Sequence, residues 1–144
     1  MRLILILMIS TIIASGIMPS INPSSDNQKT DSRELQLQDM IVLSLLSHME
    51  KKLEKAYANV LTSAPNLYPF DVDLLDIERV GGFRGFNFQI TLEAYPTVGP
   101  HIVVGKDIFT YQISPSFNVK LIHYQHLEGP DKNAFPWNYS NLLK

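Results

Sequence analysis

The chain has 144 residues, 45% hydrophobic and 18% charged, with 12 Lys and Arg against 14 Asp and Glu, a formal net charge of −2 and no cysteine. That length is enough for one domain, and the lack of cysteine excludes disulfides, thiolate metal sites and cysteine nucleophiles. The weakly negative balance argues against a nucleic-acid partner, whose phosphates are met by Lys and Arg, and the apolar fraction excludes a chain disordered throughout.

The N-terminus has the pattern of an export signal. Arg2 gives a basic start, Leu3 to Ile13 are apolar except for Ser10 and Thr11, and the small residues Ala14, Ser15 and Gly16 follow. A basic start, a short apolar core and small residues before a cut define a secretory signal peptide. The pattern predicts a signal over residues 1–16, cut after Gly16 or, alternatively, after Ser20. The other reading is a retained membrane anchor, although Leu3 to Met18 falls short of the ~20 residues that span a bilayer. Residues 17–30, with two prolines, several serines and few apolar side chains, predict a disordered linker. The expected location is the medium or the cell envelope.

Residues 31–144 read as one α+β domain. Asp31 followed by Glu34 fits a capping box, with Ser32 as the alternative cap. Leu35, Val42, Leu45, Leu46, Met49, Leu53, Ala56, Tyr57 and Val60 recur at helical spacing. The expected helix runs from Glu34 to Thr62, with a bend near Ser44 to Ser47, and Pro65 ends the pattern. Its first half, Met40 to Leu46, is apolar on all sides except Ser44, so it should be covered on more than one side. Beyond Asp73 the period changes to two. Leu75 and Ile77 alternate with Asp76 and Glu78 as a first strand, and Gly81 to Gly85 form a turn. Phe86, Phe88, Ile90, Leu92 and Ala94 then share one strand face, with Asn87, Gln89, Thr91, Glu93 and Tyr95 on the other. Such alternation predicts an antiparallel sheet with one buried face. His101 to Val104 gives a short edge, Ile108 to Ser114 a strand with Phe109, Tyr111 and Ile113 aligned, and Val119 to Leu127 the last strand. The tail from Lys132 to Lys144 carries Phe135, Trp137, Tyr139, Leu142 and Leu143, which predicts that it packs back on the domain.

No pattern of catalytic residues emerges. His123 and His126 are three apart in a strand and so point to opposite faces; His48 and His101 lie elsewhere. No metal spacing is present. Asp71, Asp73, Asp76 and Glu78 lack the glycine turn of a calcium loop. The glycines around Phe83 and Arg84 are flanked by strands, which makes a hairpin rather than a phosphate cradle. Glu93 and Asp107 are the pair a sheet would have to bring together for acid–base hydrolysis. No cofactor, metal or catalytic residue is assigned. The candidate contact residues for a partner or ligand are Arg84 at the hairpin tip and the polar row Gln89, Thr91, Glu93 and Tyr95.

The runs RELQLQDMIVLSLL, EKKLEKAYANVL, NLYPF, IERVGGFRGFNFQITLEAYPTVGPH and FPWNY-NLLK give the chain its most distinctive stretches. Through them it resembles a family of small exported proteins of endospore-forming Gram-positive bacteria, known only as a domain of unknown function. The resemblance covers about Arg33 to Lys144 and is most specific from Gly81 to His101. It implies export and a single domain, and carries no catalytic residues.

The expected fold is α+β: a long or bent N-terminal helix on the apolar face of about four antiparallel strands. Its element order is like that of cystatin-like and nuclear-transport-factor-like folds. Three functions stay open. The first is an exported non-catalytic binding protein with an unknown protein partner, and contact with membrane only through an uncleaved N-terminus. The second is a carrier of a small apolar ligand between helix and sheet, lined by Phe86, Phe88, Phe109 and Tyr111. The third is a hydrolase.

Overall fold

The computed structural model describes residues 31–144. The signal and linker expected over residues 1–30 lie outside the described residues. The architecture is one helix, α1 (Arg33–Tyr57), packed on a four-stranded antiparallel sheet. The sheet strands are β1 (Val72–Val80), β2 (Asn87–Ala94), β5 (Lys106–Ser114) and β6 (Asn118–Glu128), in spatial order β1-β2-β5-β6. Two short strands, β3 (Thr97–Val98) and β4 (Ile102–Val103), form a separate ribbon. The α+β expectation is therefore met.

Helix α1 starts at Ser32, whose hydroxyl accepts from the Leu35 amide at 3.1 Å. The cap is thus Ser32 rather than Asp31, because only its side chain reaches an orphan amide of the first turn. The helix ends at Tyr57, five residues before the expected Thr62; the chain turns there, with the Val60 and Leu61 amides both donating to the Tyr57 carbonyl at 2.9 Å. Val42, Leu45, Met49, Leu53 and Tyr57 form its buried stripe. They pack against Ile90, Leu92 and Ala94 of β2 and Phe109 and Tyr111 of β5, the centre of the core. At about 25 cal/mol per Å² of apolar surface removed from water, this seam dominates the stability.

The first half of α1 departs from its expectation. Leu37, Met40 and Leu43 remain exposed among the described residues, Met40 by 65%. A single sheet covers only one side of a helix, and these three side chains lie on the other.

Register decides which side chains meet. Leu92 pairs with Leu74 and Phe109, and Ile90 with Ile77 and Tyr111, so all six face the helix. The expected alternation in β1 is off by one residue at its start. A bulge between Leu74 and Asp76 turns Leu74 inward and leaves Leu75 exposed. An extra residue in one strand reverses the facing of everything before it. The tail closes over the helix end: the Thr62 amide donates to the Leu142 carbonyl and the Lys144 amide to the Val60 carbonyl, both at 2.9 Å. Phe135, Leu142 and Leu143 pack on the core there.

Candidate functional site

Strands β1 and β5 are parallel in space, each being antiparallel to β2. Both tight hairpins, β1–β2 and β5–β6, therefore sit at one end of the sheet. The start of α1 lies at this end, and its C-terminus lies at the other. The two ends are built differently.

At the hairpin end an open cleft of about 440 Å³ runs between helix and sheet. Ile41 forms its helix side, Ile77, Phe86, Phe88 and Ile90 one wall, and Ile113 with the Pro115–Phe117 turn the other. That volume lies within the ~300–1,000 Å³ of ordinary small-molecule sites, which are likewise mostly apolar. Phe117 is 79% exposed and Phe86 64%. Ser116 and Phe117 both have positive φ, 69° and 53°. Two consecutive left-handed residues make the tight hairpin turn that favours Asn and Gly. A phenylalanine there costs on the order of 1 kcal/mol, with its ring set at the cleft rim. The guanidinium of Arg79 stacks over the Phe88 ring at 4.6 Å and donates to the Gly85 carbonyl.

At the other end the space is closed by a buried carboxylate. Asp107 is fully buried and faces the helix beside Ala94. Its Oδ2 accepts from the Tyr57 hydroxyl at 2.7 Å. Its Oδ1 accepts from the Tyr124 hydroxyl at 2.7 Å and from His126 Nδ1 at 2.8 Å. A carboxylate oxygen only accepts, so Nδ1 carries the hydrogen. The cluster ties α1 to β5 and β6. Burial, then the bond to Asp107, pushes both Tyr57 and Tyr124 well above the usual tyrosine range. Burial alone does the same to Tyr111, whose hydroxyl finds no partner among the described residues. Gly105 leaves the room the Tyr57 ring needs: a Cβ there would stand 1.7 Å from its hydroxyl. No serine or threonine hydroxyl bonds His126 among the described residues, and no three His, Asp or Glu side chains converge as a metal site would require. The arrangement acts as a lock between helix and sheet.

The sequence-predicted residues are spread over the molecule. Arg84 sits exposed at the β1–β2 tip with a φ of 58°. Gln89, Thr91 and Glu93 line the outer sheet face, half-buried by one another's neighbours. Thr91 and Thr110 hydroxyls meet at 3.3 Å. Glu93 accepts from the Tyr95 hydroxyl and pairs with Lys106 at 3.0 Å. The Tyr95 bond first, then the Lys106 bond, hold the Glu93 carboxyl below its usual range. Gln89 to Tyr95 form one row, and Arg84 is not part of it. Glu93 and Asp107 do not meet, because Glu93 faces outward and Asp107 inward. His123 and His126 do face opposite ways, paired with Thr110 and Asp107. Of the four aromatics expected to line a pocket, Phe86 and Phe88 do. Phe109 and Tyr111 are core instead, since they lie under the middle of the helix.

Arg79 and Phe117 were not singled out by the sequence, and Asp107 only as a hydrolytic partner of Glu93, not as the buried acceptor it is. The signal for Asp107 is in the β5 pattern: extending Phe109, Tyr111 and Ile113 back by two residues puts an aspartate on the buried face. Its partners, 17, 19 and 50 residues away, carry no local mark.

A small helix-on-sheet domain with an apolar cleft at its hairpin end is the class of protein this defines. Residues 37–128 match the family described as protein of unknown function DUF3888, and the chain belongs to that family. No curated protein and no solved structure matches it.

Proposed function

We propose that the protein is an exported, non-catalytic binding protein whose working site is the apolar cleft at the hairpin end. The cleft itself is the observation that carries this reading. It is open, it is lined almost wholly by aliphatic and aromatic side chains, and one of its rim aromatics is kept in a backbone conformation that costs stability. A chain selected for stability alone would place Gly or Asn in that turn. The leader pattern supports export, and the family resemblance supports an origin in spore-forming Gram-positive bacteria. No helix among the described residues is long and apolar enough to cross a membrane. A second reading, a protein partner, is favoured by the exposed Leu37, Met40 and Leu43 on the outer side of α1.

Native mass spectrometry of the protein recovered from culture medium tests both. The proposal predicts a chain starting near Ile17 that carries a small apolar adduct, lost in Phe86→Ser. A second protein attached to the chain supports the second reading. Full-length chain confined to the membrane fraction contradicts export by a cleaved leader.

A further inference from the structure

We propose that the ligand of this cleft is a free single-chain amphiphile with an anionic head, of the fatty-acid class, whose carboxylate is read by Arg79. The inference rests on the cleft-binding reading and adds the chemistry of the occupant. Arg79 faces the helix side of the sheet directly opposite Phe88, two residues beyond the cleft-lining Ile77. Its guanidinium is exposed, held by the Phe88 ring and the Gly85 carbonyl. Among the described residues no carboxylate lies within ion-pair distance of it, and the two ion pairs found there, Lys106–Glu93 and His126–Asp107, are at the opposite end. A fixed guanidinium with free donors at the mouth of an apolar cleft is complementary to an anion joined to an apolar chain.

The lining selects an alkyl chain over a peptide. Among the described residues the only polar side chains in it are Ser114 and Ser116, and the Ser114 hydroxyl already bonds the Asn118 carbonyl at 3.4 Å. A peptide laid there would leave its amides unpaired against hydrocarbon, whereas an alkyl chain has none to pair. The volume, about 440 Å³, is near the small end of ligand sites. That suits one chain and not the two of a membrane phospholipid.

The test is isothermal titration of the purified protein with laurate, dodecanol and dodecyltrimethylammonium, the two ions below their micelle concentrations and dodecanol below its solubility limit. Laurate is expected to bind about tenfold more tightly than dodecanol, the size of one bond to a charged group, and the cation more weakly than either. Arg79→Gln is expected to bring laurate to the dodecanol level. Phe86→Ser, at an exposed position that folding tolerates, is expected to weaken both. Equal binding of laurate and dodecanol overturns the anionic head and leaves the cleft reading standing. No binding of any of the three overturns both, as does laurate binding that Phe86→Ser leaves unchanged. A dimer seen in native mass spectra that Phe86→Ser dissociates puts a second copy in the cleft and overturns the amphiphile.

Discussion

The two ends of the sheet solve the same problem in opposite ways. Each must fill the wedge between the helix and the sheet. At the Tyr57 end the wedge is filled by a carboxylate with three donors, a glycine that makes room for one of them, and the returning tail. At the hairpin end it is left open and lined with hydrocarbon. Both ends use aromatic side chains, but those of the closed end satisfy their hydroxyls on Asp107, while Phe86 and Phe117 expose their rings to water. Polar groups that find partners stabilise and fix geometry. Apolar groups that stay exposed add nothing to the fold and are available to a ligand. On the proposed reading, stability belongs to one end and binding to the other.

Substitutions sharpen that division. The largest expected effect is at Asp107: Asp107→Ala leaves the buried Tyr57 hydroxyl and its neighbours without an acceptor. It should cost on the order of 3 kcal/mol in urea unfolding, with amphiphile binding per folded molecule unchanged. Gly105→Ala comes next. The new methyl displaces the Tyr57 ring, and the loss should be about 2 kcal/mol, the scale of overpacking. Alkaline pH attacks the same end and the middle of the core. Tyr57, Tyr111 and Tyr124 have folded pKa values raised above the unfolded ~10. The folded state therefore holds protons that the unfolded state has released. Their contribution is whole below pH ~10 and falls as pH rises above it. Thermal melts from pH 8 to 11 should show this decline, and Tyr57→Phe should flatten it while lowering stability at pH 8. The smallest effect on stability is expected at the open end. Phe86→Ser should change unfolding by less than about 0.5 kcal/mol, yet remove most of the binding. Similar stability losses at both ends would erase the distinction.

Much of this was legible in the sequence, and the exceptions have physical causes. The 3.6 periodicity from Val42 to Tyr57 and the alternation from Phe88 to Ala94 reflect one buried side per element, so they marked the helix and the central strand. The switch of period near Asp73 marked the α+β order. Leu75 misled because a bulge adds a residue without changing the local pattern. The helix stopped early because the turn after Tyr57 is fixed by the returning tail, 80 residues on, which local spacing does not record. The polar row Gln89 to Tyr95 was read correctly as the outer face. The cleft was half visible: Phe86 and Phe88 were marked as lining residues, but Phe117 joins it, and Arg79 stands beside it, only through the pairing of β5 with β6 and β1 with β2. Asp107 was read only as a partner for Glu93, and its buried role was missed because an acidic residue at a strand start looks like a solvated edge until the strand is extended by two.

The most direct test of the division between ends is one variant measured twice. Phe117 lines the cleft with a φ of 53°. Phe117→Gly relieves that conformation and removes a rim ring. The account predicts a protein more stable by about 1 kcal/mol in urea unfolding that binds laurate several-fold more weakly. A variant that gains stability and binds laurate as before would contradict it, since Phe117 would then be held at the rim for no purpose of binding.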